Sequence, residues 1–149
     1  MNNLTEHLCA AEQQCLQHGG KLTEKRKYVL SILLQADKAL SAYEIIETYN
    51  TECNEKMAPM SAYRILEYLE RMHLAHKINL ANKFVACAHI GHQQNHHAAQ
   101  FLFCQQCQKV TEMPMSTNVY QELTNEVEQS GFQLCSEQIE LTCLCQACR

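Results

Sequence analysis

The sequence predicts an α+β protein: an N-terminal helical domain of winged-helix form over residues 1–84 and a small C-terminal α/β domain over residues 99–149, joined by a hinge at residues 85–98. Three observations carry that expectation. Apolar residues recur at helical spacing through the first part until a short hairpin signal. Strand-like runs dominate the second part. Two Cys-x-x-Cys pairs, Cys104/Cys107 and Cys145/Cys148, flank those runs.

A chain of 149 residues with 46% apolar content buries a sizeable core as one average domain or two small ones. The opening Met-Asn-Asn-Leu-Thr-Glu has no basic or apolar leader character, so no signal peptide is expected. No apolar run approaches the roughly 20 residues of a membrane span. A cytoplasmic protein without a membrane partner is the expectation. Ten cysteines and eight histidines in such a chain favour metal binding over disulfides. The net charge of −4 argues against a nucleic-acid binder, yet it is unevenly spread. Residues 1–83 hold ten basic against ten acidic side chains, and residues 84–149 hold two against six. A DNA-binding surface is therefore restricted to the first part.

Residues 3–18 read as a helix with Leu4, Leu8, Ala11 and Cys15 on one stripe, ended at His18-Gly19-Gly20. Thr23 suits the N-cap of a second helix with Tyr28, Val29, Ile32 and Leu33 on its apolar face. Ser41-x-x-Glu44 has the form of a capping box opening a third helix, with Ile45, Ile46 and Tyr49 inward. A fourth helix spans about Ser61 to His73, where Ala62, Ile65, Leu66, Leu69 and Met72 keep the core spacing. Tyr63, Arg64, Glu67 and Arg71 are left outside. "AHKINL" and "KFVAC", joined at Ala81-Asn82, read as a hairpin. Helices followed by a hairpin describe a winged helix, whose last helix enters the major groove. Periodicity alone equally permits a helical domain with a merely solvated outer face.

In the second part "QFLFC" and "KVTEM" read as strands flanking the first cysteine pair. Residues 117–130 form a helix lined by Val119, Leu123 and Val127 and stopped at Gly131. "FQLCS" and "QIELTCL" complete a ββαββ pattern. One helix covers one sheet face, so pairing with a second copy is expected and the chain should be a homodimer.

Each Cys-x-x-Cys turn aims two sulfurs at one point, and two such turns complete a tetrahedral thiolate cage suited to structural zinc. A redox dithiol usually opens a helix, whereas these pairs border strands. Cys104, Cys107, Cys145 and Cys148 are the expected ligands. His76, Cys87, His89, His92, His96, His97 and Glu112 remain as further candidates. Cys9, Cys15, Cys53, Cys135 and Cys143 read as buried inert thiols. His7, His18 and His73 read as surface or capping residues.

With "LTEKR", "SAYEII", "SAYRILEYL", "AHKI", "FLFCQQCQKV" and the closing "CLCQAC" in place, nearly the whole chain resembles the ferric uptake regulator superfamily of metal-dependent repressors, and within it the zinc-sensing branch. The resemblance implies a zinc-responsive transcriptional repressor, not an enzyme, that binds a double-stranded DNA operator as a homodimer and takes no small-molecule substrate. It implies a second, regulatory zinc site at His76, Cys87, His97 and Glu112, with His96 able to exchange with His97. The iron-sensing branch has a carboxylate at the position of Cys87. Thiolate favours Zn over Fe(II), which sets an iron or peroxide sensor second.

The resemblance also implies base contacts by Tyr43 and Arg64, with Tyr63, Lys25 and Arg26 nearer the backbone. The chain departs from the family at Thr23-Glu24, where a proline usually follows the threonine, and at Ser61-Ala62. Ala98, Ala99 and Gln100 stand where many relatives carry histidines of a third site, so two zincs per chain are expected, one structural and one regulatory. A zinc hydrolase is the reading from another class. The chain has no HExxH and no HxE followed by PCxxC to place a general base beside the metal.

Overall fold

The computed structural model describes residues 3–92, 99–136 and 138–149. It divides into two compact units, Met1–Gln93 and Gln94–Arg149. The first unit contains α1 (Asn3–Gln17), α2 (Glu24–Gln35), α3 (Ala42–Cys53), α4 (Pro59–Arg71), β1 (Ala75–Ile78) and β2 (Lys83–Ala86).

Local chemistry sets the helix starts. Thr23 caps α2 by accepting from the Arg26 N–H at 3.4 Å. Ser41 and Glu44 form the reciprocal capping box of α3, each bond 3.1 Å long. Asn54 ends α3 in the left-handed region, φ 51°. Helix α4 begins at Pro59, two positions before the expected Ser61, because proline at the first turn needs no N–H partner and presets φ. It also ends earlier, at Arg71. Met72 caps it, and His73 turns left-handed at φ 57°.

Ala62, Ile65, Leu66 and Leu69 of α4 are buried as their spacing predicts, against Val29, Leu30, Ile45 and Leu74. Met72 is half-buried, and Tyr68 takes a core position instead. Each fully buried Leu, Ile or Val contributes about 1.5–3 kcal/mol. An exposed ion pair such as Lys27–Glu12 (2.8 Å) contributes about 0–1 kcal/mol, so packing holds these helices together.

Strands β1 and β2 form the antiparallel hairpin, in register Ala75–Ala86 through Ile78–Lys83. The turn between them is longer than the expected Ala81-Asn82 and closes on Asn82 at φ 51°. Leu40, in the link before α3, exchanges backbone hydrogen bonds with Phe84 at 2.7 and 3.0 Å. Lys83 Nζ donates to Glu44 at 3.3 Å, which adds a tie from the hairpin to the start of α3.

The second unit contains β3 (Ala99–Cys104), β4 (Val110–Pro114), α5 (Thr117–Gln129) and β5 (Gln138–Cys143). Its sheet order is β4-β3-β5, with β3 antiparallel to β4 and parallel to β5. A parallel neighbour requires a crossover, which α5 supplies. Phe101 is fully buried on the central strand. The expected strand "FQLCS" is not formed: residues 132–136 lack strand pairing, and Phe132 is 72% exposed. The pattern is therefore ββαβ among the described residues. No residue of α5 is buried. Of the thiols expected to be buried, Cys15 is, whereas Cys53 and Cys143 are half-buried and Cys9 and Cys135 are exposed. Cys9 faces away from the stripe that carries Ala11 and Cys15, and Cys135 falls in the segment that has no strand pairing. Among the described residues, no helix is long and apolar enough to cross a membrane.

Candidate metal centre

Strands β3 and β5 run parallel and in register up to Cys104 opposite Cys143, so they finish side by side. Each is followed by a cysteine turn. In the first, the Gln108 N–H donates to Cys104 O at 2.9 Å with Gln108 at φ 65°, and the Cys104 N–H donates to Lys109 O at 2.9 Å. In the second, the Cys148 and Arg149 N–H groups both donate to Cys145 O. The Gln105 N–H donates to Cys143 O at 3.0 Å and binds the two turns together.

The sulfurs of Cys104, Cys107, Cys145 and Cys148 all lie within 4.8 Å of one another, and Cys107 Sγ is 3.7 Å from Cys145 Sγ. Tetrahedral Zn–S bonds of about 2.3 Å place sulfurs about 3.8 Å apart, so the residues fit the ion. The electrostatics fit as well. Backbone N–H groups of Cys107 and Cys145 aimed at Cys104 lower its pKa from 9.0 to about 6. Cys145 is also lowered, chiefly by hydrogen bonding with Cys148. Cys148 carries the opposing burden and is raised to about 12, first through its bond with Cys145. Four thiolates this close repel one another, and a cation at their centre removes that repulsion.

The other proposed ligands are distributed over both units. His76 is on β1 and Cys87 directly follows β2. His76 is paired with Val85, which puts Cys87 diagonally across on the same face of the hairpin. A ring nitrogen of His76 and Cys87 Sγ lie within 4.8 Å of each other. Cys87 is buried in the first unit's core, its N–H donates to Leu74 O at 2.9 Å, and its sulfur accepts from the His89 N–H at 3.4 Å. Glu112 is half-buried on β4 of the second unit. His96 and His97 lie outside the described residues. His89 and His92 are joined by a backbone bond, His92 N–H to His89 O at 3.1 Å, in the turn after Cys87.

The residues assigned to DNA fall in two groups. Tyr43 at the start of α3 is 77% exposed, and Tyr63 and Arg64 stand on the exposed face of α4. Lys25 is exposed on α2. Arg26 is half-buried: its guanidinium lies 3.6 Å from the centre of the Tyr68 ring and donates to Lys21 O at 2.8 Å. Sequence reasoning missed Tyr68 as that platform, although its place three residues after Ile65 was a signal for an inward side chain.

The zinc uptake regulation protein of Escherichia coli (strain K12) is 32% identical over 143 residues, spanning 96% of this chain and 81% of that protein. A solved zinc uptake regulator complexed with zinc and DNA superposes with a TM-score of 0.86 at 28% identity, covering 99% of this chain and 95% of the other. A crystal structure of holo XcZur superposes at 0.78 with 31% identity, covering 94% of each chain. The family model described as the ferric uptake regulator family matches residues 17–142, and the chain belongs to that family.

Proposed function

We propose that this protein is a zinc-responsive transcriptional repressor that binds an operator as a homodimer and restrains genes for zinc uptake. The observation that carries the zinc reading is the pairing of a thiol, Cys87, with the His76 imidazole on the hairpin of a winged helix. A carboxylate at Cys87 would suit iron; a thiolate suits zinc. The likeness to a zinc uptake regulator held with zinc and DNA supports the same reading.

The two metal sites have different tasks. Cys104, Cys107, Cys145 and Cys148 hold a structural zinc that supplies cross-linking of both cysteine turns. His76, Cys87, His97 and Glu112 form the regulatory set, in which the metal would supply a reversible bond among these ligands. Arg64 and Tyr43 read bases, while Tyr63 and Lys25 hold the backbone; Arg26 serves there from its seat on Tyr68. The second copy covers the apolar surface of the second unit, where Val119, Phe132, Leu141 and Leu144 are each at least 43% exposed. A ligand shifts a conformational balance by its differential affinity for the two states, and a site completed only in the DNA-competent arrangement has that difference.

Metal analysis and operator binding on the purified protein test this reading. Two zincs per chain are expected, one removed by a mild chelator with loss of operator binding and restored by zinc. Iron in place of the exchangeable zinc identifies an iron sensor instead. Hydrolysis without DNA binding identifies an enzyme.

A further inference from the structure

Helix α1 precedes the three helices of the winged helix, and one of its side chains performs two hydrogen-bonding tasks at once. Gln14 Nε2 donates to Met72 O at 2.6 Å, with a longer bond to His73 O at 3.4 Å. Gln14 Oε1 accepts from the Gly91 N–H at 3.1 Å. Met72 is the C-cap of α4, the helix that carries Tyr63 and Arg64. Gly91 closes the turn that begins after Cys87. One carboxamide thus joins the carbonyl end of α4 to the turn after a metal ligand, and only one orientation of the amide satisfies both partners.

The turn is seated on α1 by more than this bond. Ile90 is buried in the core of the first unit at 4% exposure. Gly91 is left-handed at φ 82°, and a Cβ there would stand 2.9 Å from the Cβ of Ala10, one helical turn before Gln14. A side chain at residue 91 would push the turn off α1. The carbonyls of Tyr68, Leu69 and Glu70 accept from the N–H groups of Met72, Leu74 and His73, and Gln14 supplies the Met72 carbonyl with a donor from outside the helix. The Cys87 N–H bond to Leu74 O anchors the start of the same turn immediately beyond that helix end.

We infer that Gln14 is a positioning residue that couples metal occupancy at Cys87 to the placement of α4, and so to operator affinity. This rests on the zinc-responsive reading. Drawing Cys87 toward a metal fixes the turn through Gly91, and Gln14 transmits that constraint to the Met72 carbonyl and the helix axis. Gln14 is not itself among the proposed metal ligands or the residues proposed to contact DNA. By linkage, the same coupling makes operator binding tighten zinc by an equal factor.

The test compares full-length wild type with Gln14→Met, which removes both arms, and Gln14→Glu, which keeps the acceptor for Gly91 but sets a carboxylate against Met72 O. Gln13→Met, on the exposed side of α1, is the control. For each, operator affinity is measured with excess zinc and after chelation of the exchangeable zinc, and zinc affinity is measured without DNA. Loss of a hydrogen-bonded link of this kind corresponds to a reduction of about three- to tenfold in the zinc-linked gain in operator affinity. That loss is expected in both Gln14 variants and absent in Gln13→Met, with zinc affinity in the absence of DNA changing far less. An undiminished gain in the Gln14 variants overturns the inference.

Hydrogen exchange on the wild type gives a reading independent of how well the variants fold. Zinc should slow exchange at the Gly91 amide and in the last turn of α4 together. Slowing at one without the other overturns the coupling. If wild-type operator affinity itself ignores zinc, the zinc-responsive reading falls first, and that result is distinct from a variant that keeps the gain.

Discussion

Cys107 Sγ and Cys145 Sγ stand 3.7 Å apart although 38 positions separate them in sequence. The parallel pairing of β3 with β5 brings their turns to one end of the sheet, but within one chain a three-stranded sheet with a helix that buries no residue has little apolar packing to hold that closure. A structural zinc site contributes about 10–16 kcal/mol in small zinc domains, comparable to the whole stability of a typical domain at about 5–15 kcal/mol. Cys107→Ala is therefore expected to unfold the second unit. Its β-sheet circular dichroism and its structural zinc should be lost together, while the helical signal of the first unit persists.

The unequal acidities of the cage thiols predict how zinc binding depends on pH. Cys104, with a metal-free pKa of about 6 against an ordinary 9.0, is already a thiolate near neutrality, whereas Cys148, at about 12, keeps its proton. Loading the cage at about pH 7.5 should release fewer than four protons per zinc, and release should rise as pH falls through 6 and Cys104 holds a proton again. The sign for stability follows. The unfolded chain binds the extra proton between 6 and 9.0, so the contribution of Cys104 to the metal-free fold grows with pH in that window and is lost as pH falls through 6. Zinc titration with a pH indicator measures the release.

Much of this architecture is legible locally. Thr23, Ser41 and Glu44 act within three residues of themselves, so their caps can be read from a string of letters. The core face of α4 follows from spacing alone, except that Met72, at the C-cap, is only half-buried while Tyr68 is buried. Pairing is not local. "FQLCS" has the alternation of a strand, but whether it finds a neighbour depends on β3, whose two edges are already occupied by β4 and β5. The convergence of Cys104, Cys107, Cys145 and Cys148 was readable because Cys-x-x-Cys carries its geometry in its spacing. Gln14 was not, since nothing about a glutamine on a helix stripe says which carbonyl lies 58 positions away.

Arg26 and Arg64 are expected to fail differently when replaced by alanine. Arg64 is exposed on α4, so Arg64→Ala should weaken operator binding by about 1–3 kcal/mol with thermal stability and zinc content unchanged. Arg26 lies on Tyr68, and removing it deletes a cation–π contact of about 0.5–2 kcal/mol as well as the bond to Lys21 O. Arg26→Ala should lower the melting temperature of the first unit. Melting curves beside binding isotherms separate the two, and an unchanged operator affinity in Arg64→Ala removes α4 as the reading helix.

Cys87 offers a test of metal choice that leaves the fold in place. Its sulfur accepts from the His89 N–H and lies within 4.8 Å of a His76 ring nitrogen, inside the core of the first unit. Cys87→Ser keeps the size and an acceptor for His89 but replaces a soft thiolate by a hydroxyl that stays protonated near neutrality. The protein should retain its structural zinc, remain folded, and lose zinc-dependent operator binding. Cys87→Asp keeps an anionic ligand and exchanges soft for hard, so the preference for Zn over Fe(II) or Mn(II) should narrow. Burial of a carboxylate costs stability in the metal-free protein, which a lower melting temperature would report and metal should restore. Competition between Zn and Mn(II), followed by operator binding, reads the selectivity directly. Full zinc response in Cys87→Ser would remove Cys87 from the regulatory site and leave the hairpin thiol as a core residue.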